Sequence, residues 1–147
     1  MASRAGVALF GMLLAAGAAA AELPGVSNEA RARTDYMLNC QGCHGALGHG
    51  LADVPRMQGF VGHFLKVPGG REFLVQVPGS ANAAISDARL AELLNWMLPT
   101  ISAGEMPADF EPYSEAEVTR LRATPAEDVV ERRARLLRSI GEKARVK

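Results

Sequence analysis

Charge of one sign, aromatic residues and cysteines are all scarce in this chain. Its 147 residues hold 16 Lys+Arg against 16 Asp+Glu, a formal net charge of zero. No surplus of positive charge is present to neutralise a phosphate backbone, which excludes a strongly basic nucleic-acid binder. The same balance, with 48% apolar residues, excludes a highly charged disordered chain. Aromatics make up only 5%, thin for a self-sufficient core, so something other than side chains is expected at its centre. Two cysteines are too few for a disulfide scaffold. Long apolar runs are also missing, with one exception from Val7 to Ala21. That run follows Arg4, ends in small residues, and falls short of the ~20 residues of a spanning helix. It reads as a signal peptide over residues 1–21, cut after Ala20 or Ala21. The expected product is exported, periplasmic and without a membrane span.

The remaining length suits one compact domain. Ser27 as N-cap, with Glu29 in the first turn, predicts a helix from Asn28 to about Leu38. Six glycines between Gly42 and Gly62, with Pro55, predict a long, tightly turned loop. Between two Pro-Gly turns, Arg71–Val77 reads equally as a short strand or a helical turn. Ser86 opens a clearer helix, with Leu90, Leu93, Leu94 and Met97 on one face, Trp96 beside them, and Pro99 as its stop. Ser114 and Glu117 form a capping box for a short helix over 114–123. Thr124 and Glu127 form a second one, for a helix carrying Val129, Val130, Leu136, Leu137 and Ile140 and ending at Gly141. Residues 126–147 hold seven basic and four acidic residues, a local +3. The expected organisation is a domain over 22–123 followed by a helical extension over 124–147, solvated or used for docking.

Chemistry concentrates in Cys40-Gln41-Gly42-Cys43-His44. A C-x-x-C-H run is the attachment signature of c-type haem. Two thiols three positions apart can each form a thioether to one vinyl group, and the adjacent histidine then serves as the proximal iron ligand. A thioredoxin-like redox pair would need a flanking βαβ pattern, which is not visible. A zinc site would need a fourth ligand beyond Cys40, Cys43 and His44.

With these residues in place the chain resembles the class I, monohaem cytochrome c family. In that family a small residue stands eight positions before the first cysteine and an aromatic four positions before it. Ala32 and Tyr36 occupy those places here. Gly45, Gly48 and Gly50 match the glycine-rich loop after the histidine, and Pro55 matches the proline whose carbonyl supports the proximal imidazole. The resemblance covers roughly residues 28–123. It implies an all-α fold wrapped around one covalent haem c, here with an extra C-terminal helix.

A methionine opposite the histidine gives a closed iron suited to electron transfer. Met106, in a Gly/Pro loop and followed by Pro107 as the family's distal methionine often is, is the expected sixth ligand. Met37 and Met97 read as core, His49 as solvated, and Met57 as part of the proximal loop. Met57 or His63 as ligand, or a vacant sixth position, competes with Met106. The segment 114–123, with 125–140, is expected to pack on the N-terminal helix. In the other arrangement the 86–98 helix closes the haem fold, and everything from Met106 onward is an extension.

The implied function is an exported carrier of single electrons between redox partners such as a dehydrogenase and an oxidase, and not an enzyme. Cys40 and Cys43 anchor the haem, with His44 and Met106 on the iron. A second reading is a haem c subunit of a larger periplasmic dehydrogenase or oxidase complex. A catalytic or gas-binding haem with a vacant distal position is a third, for which no distal acid–base group is visible.

Overall fold

A computed structural model describes residues 23–124 and 126–145 of the chain. The signal-peptide expectation for 1–21 lies outside the described residues. Among those described, every regular element is helical: α1 (Glu29–Asn39), α2 (Gln41–His44), α3 (Gly70–Gln76), α4 (Pro78–Ala81), α5 (Asp87–Ser102), α6 (Glu115–Arg122) and α7 (Val129–Arg145). Two 3₁₀ segments, Val61–Lys66 and Ala103–Glu105, complete the order. The all-α expectation holds, and the undecided stretch after the first Pro-Gly turn is helix.

The pair that organises the core is α1 against α5. Ala32 is fully buried where the helices meet, and Tyr36 meets Trp96 edge-on with ring centroids 5.8 Å apart. The expectation that residues 114–140 pack on α1 is therefore corrected. Helix α5 carries the continuous apolar stripe and an aromatic, whereas α6 buries only Val118 and Leu121, against α5 and α3. Pro99 does not stop α5, which runs on to Ser102. Leu98 and Ile101 are buried on either side of it, and that burial outweighs the one hydrogen bond a proline nitrogen cannot make. Thr100 Oγ1 donates to the Trp96 carbonyl at 2.5 Å, covering an acceptor beside the break.

The first cap also shifts. Asn28, not Ser27, caps α1, its side chain accepting from the Arg31 N–H at 2.9 Å. Ser27 is taken by Glu92 of α5, which accepts from the Ser27 N–H, the Ser27 hydroxyl and the Asn28 N–H at 2.7–2.8 Å. Arg31 completes the set with two contacts to the same carboxylate, at 2.9 and 2.6 Å. One buried carboxylate thus ties the positive end of α1 to α5. Burial pushes the Glu92 carboxyl up, but hydrogen bonds from Ser27, Arg31 and Asn28 outweigh it and hold the group below the usual range. A carboxyl depressed in the folded state adds stability above its unfolded pKa and loses it as pH falls through the folded one. Glu92→Ala should cost about 2–4 kcal/mol in urea unfolding at neutral pH. The gap to the native chain should narrow below about pH 4.

The C-terminal helix belongs to the same core. Leu136 is 6% exposed, and Val129, Leu137 and Ile140 pack against the main cluster. Arg132 donates to Gln76 Oε1 at 2.6 Å and to the Gly69 carbonyl at 3.2 Å, and lies over the Phe73 ring. The Thr124 capping box is not used: Asp128 accepts from the Glu131 N–H at 2.9 Å, and α7 continues through Gly141 to Arg145. The Ser114 box forms on one side only. Ser114 accepts from the Glu117 N–H at 3.2 Å, while the Glu117 carboxylate holds Arg71 at 2.6 and 2.7 Å.

Candidate functional site

The C-terminal end of α1 delivers Cys40, and the single turn of α2 carries Cys43 and His44. Tyr36 anchors this junction, its hydroxyl donating to the Gly45 carbonyl at 2.8 Å. The loop then folds back tightly. Gly50 N–H donates to the His44 carbonyl at 2.8 Å, and the Met57 N–H to the Gly48 carbonyl at 2.7 Å. Gly48 and Gly50 adopt φ of +71° and +79°. A Cβ on Gly50 would lie 2.5 Å from the Val54 carbonyl oxygen, so glycine is required there on two counts.

This folding back puts Pro55 against the histidine. His44 Nδ1 lies 3.2 Å from the Pro55 carbonyl. A carbonyl oxygen only accepts, so Nδ1 carries the proton and Nε2 keeps a lone pair for a metal. The expected support of the imidazole by Pro55 is present in the geometry.

Cys40, Cys43 and His44 all border one cavity of about 290 Å³. Its walls are otherwise largely apolar, with Phe64 and Phe73 on one side and the α5 stripe of Leu90, Leu93, Leu94 and Met97 on another. Helix α7 contributes Val129 and Arg133. Among the described residues no carboxylate pairs with the Arg133 guanidinium, a cation at the rim of an apolar hollow.

Both thiols are free, with Cys40 half-buried and Cys43 exposed. Burial, with the Asp35 carboxylate and Cys43 nearby, pushes the Cys40 thiol up to about 11. A redox-active or nucleophilic cysteine requires the opposite shift. Asp35 is itself fully buried and ion-paired with Arg89, whose Nε donates to it at 2.9 Å. Among the described residues no cluster of His, Cys, Asp and Glu could hold a metal ion by itself, which disfavours the zinc reading.

Met106 is not brought to this cavity. It follows the 3₁₀ turn Ala103–Glu105, whose backbone lies against Gly62 so closely that a Cβ there would be 3.1 Å from the Met106 nitrogen. Gly62 is on one flank of the Val61–Lys66 segment, while Val61 and Phe64 of that segment border the cavity. The methionines that do border it are Met57 and Met97. His49 is exposed, and His63 packs edge-on against Phe60 and is not among the residues that border the cavity. Two participants were missed from sequence, Arg133 and Val129. Their only signal was the amphipathic stripe of α7, which does not say which face meets which partner.

No protein-family model matches the chain, and no solved structure matches it. Two curated relatives do, both named cytochrome c-552 and both from Thermus thermophilus. Each is 29% identical over 116 residues, covering 64% of this chain and 88% or 78% of its own length. Distant as it is, this likeness supports a cytochrome c family for the chain.

Proposed function

We propose that the chain is a class I, monohaem c-type cytochrome that carries single electrons outside the cytoplasm. The observation that carries this reading is the convergence of two free thiols and a tautomer-fixed imidazole on one apolar cavity. Haem fits that donor set: Cys40 and Cys43 would hold it through thioethers, and His44 would be the proximal ligand. The Arg133 guanidinium at the rim matches the carboxylates of haem's propionate groups. Bound haem supplies an Fe(III)/Fe(II) couple, and the low aromatic content then has a reason, since the macrocycle occupies the centre of the core. The chain's own part is to bind the group, exclude water with the α3, α5 and α7 walls, and fix His44 through Pro55. The signal-like run over 1–21 supports export, and no described helix is long and apolar enough to cross a membrane.

The test is the spectrum of the chain expressed with haem-attachment machinery. A c-type α band that survives acid-acetone extraction supports the reading, and a colourless protein ends it. Arg133→Gln tests the propionate contact. Removing a cation beside the haem disfavours Fe(II), so the midpoint potential should fall, on the order of tens of millivolts. Redox titration checks this.

One observation favours the second reading, a subunit of a larger periplasmic complex. Met37 and Leu38, just before Cys40, and Leu47 and Leu51, just after His44, are exposed apolar residues around the motif. Co-elution with a larger redox partner would support it.

A further inference from the structure

We propose that Arg122 is a positioning residue for the haem site: it clamps the segment over 79–85 as a wall of the cavity, keeps water out, and so keeps the iron potential high. The effect on potential rests on the haem reading above. Arg122 is the last residue of α6 and does not itself border the cavity. Its guanidinium reaches α4 and the turn after it, where Gly79, Ser80 and Ala83 do border it.

That segment has little of its own to hold it. Ile85 is the one large apolar residue over 79–85, and none of the seven positions is buried. Helix α4 is a single turn with no side-chain cap. A stretch with so little buried apolar contact opens locally at small cost. Arg122 supplies what burial does not. Its Nε donates to the Ala81 carbonyl at 3.0 Å, Nη1 to the Ile85 carbonyl at 2.9 Å and Nη2 to the Ala83 carbonyl at 2.7 Å. Nη1 also donates to Asp87 Oδ1 at 2.8 Å. Three carbonyls at alternate positions thus converge on one cation. Thr119 of the same helix donates to Asp87 Oδ2 at 2.7 Å and fixes the carboxylate that orients the guanidinium.

An ammonium could not do this, being a point charge, whereas the planar guanidinium presents its donors in a fixed fork. Two roles of a cation near a redox centre are therefore separable at this position. As charge alone, it favours Fe(II) whatever its shape. As a clamp, it acts through the wall: water admitted to the cavity raises the local dielectric and favours Fe(III), the more highly charged state.

Arg122→Lys keeps the charge and loses the fork, and Arg122→Gln loses both. Hydrogen exchange on the full chain reads the clamp. The N–H groups of Ser80, Ala81, Asn82, Ala83 and Ile85 are all hydrogen-bonded within 77–85. In both variants they should exchange at least about tenfold faster, the equivalent of one hydrogen bond to a charged group. Asp87→Asn, a milder change that leaves the three carbonyl contacts, should speed them by less. Arg31→Gln, which loosens the Glu92 clamp at the start of α1, should leave them unchanged. In the haem-loaded chain, redox titration should give a lower midpoint potential for both Arg122 variants. Native exchange rates in both would overturn the clamp. A native potential in Arg122→Lys would overturn the wall mechanism, because charge then accounts for whatever Arg122→Gln shows. Pyridine haemochrome formation reports covalent haem. Its absence from the native chain overturns the haem reading and the effect on potential with it, while exchange in the haem-free chain still decides the clamp.

Discussion

The double variant Cys40→Ala/Cys43→Ala should contain no haem that survives acid-acetone extraction. The loss should be complete, because the chain has no other cysteine. Each single variant should retain at most one thioether and give a shifted α band, since one vinyl group then stays unsaturated. The fold argues that this loss is chemical and not a collapse. Cys43 is exposed, Cys40 is half-buried, and neither thiol forms a disulfide, so their removal takes little from the α1–α5 pairing. Far-ultraviolet circular dichroism of the haem-free double variant should therefore match that of haem-free native chain. If covalent haem persisted in the double variant, the attachment assignment would fail. His44→Ala gives the complementary result. Haem should either fail to attach or lack the proximal bond, with Pro55 left facing no donor.

How much of this was legible in sequence depends on how local each feature is. The haem motif is complete within five residues, so it can be read without knowing the fold. Ala32, Tyr36 and Pro55 came from the resemblance to the cytochrome c family; Ala32 and Tyr36 are buried on α1 and the Pro55 carbonyl faces His44. The α5 stripe was readable by periodicity, but its end was not, because tertiary burial of Leu98 and Ile101 carries the helix past Pro99. Which helix closes on α1 depends on how Tyr36 fits Trp96, a matter of shape between residues far apart in sequence. Glu92 as the carboxylate serving the start of α1 left no local trace at all. Met106 was chosen for its Gly/Pro loop, its chain distance from His44 and the Pro107 that follows it. That the turn before it backs onto Gly62 is a contact between segments far apart in sequence, which a lone glycine in a loop does not announce.

Ending the chain at Thr124 should be among the most destabilising changes available without touching the motif. If α7 were a solvated extension, its removal would cost almost nothing. Instead it seats Leu136 in the core and packs Val129, Leu137 and Ile140 against it. Through Arg132 it also ties Gln76 and Gly69 to the last helix. Leu136→Ala alone should cost about 2–4 kcal/mol. Loss of the whole helix uncovers several apolar side chains, on the order of 5 kcal/mol, which is a large part of a small domain's stability. The truncated chain should melt far below the native one, and its cavity should lose the wall formed by Val129 and Arg133. Haem held by thioethers stays on the unfolded chain, so it would stabilise the fold only through its packing and its bond to His44, and the truncated chain lacks the packing that Val129 and Arg133 supply. The melting-temperature difference should therefore be at least as large between the haem-loaded forms as between the haem-free ones. Calorimetry on all four species reads this directly. Equal melting temperatures for native and truncated chains would return α7 to the status of an appendage.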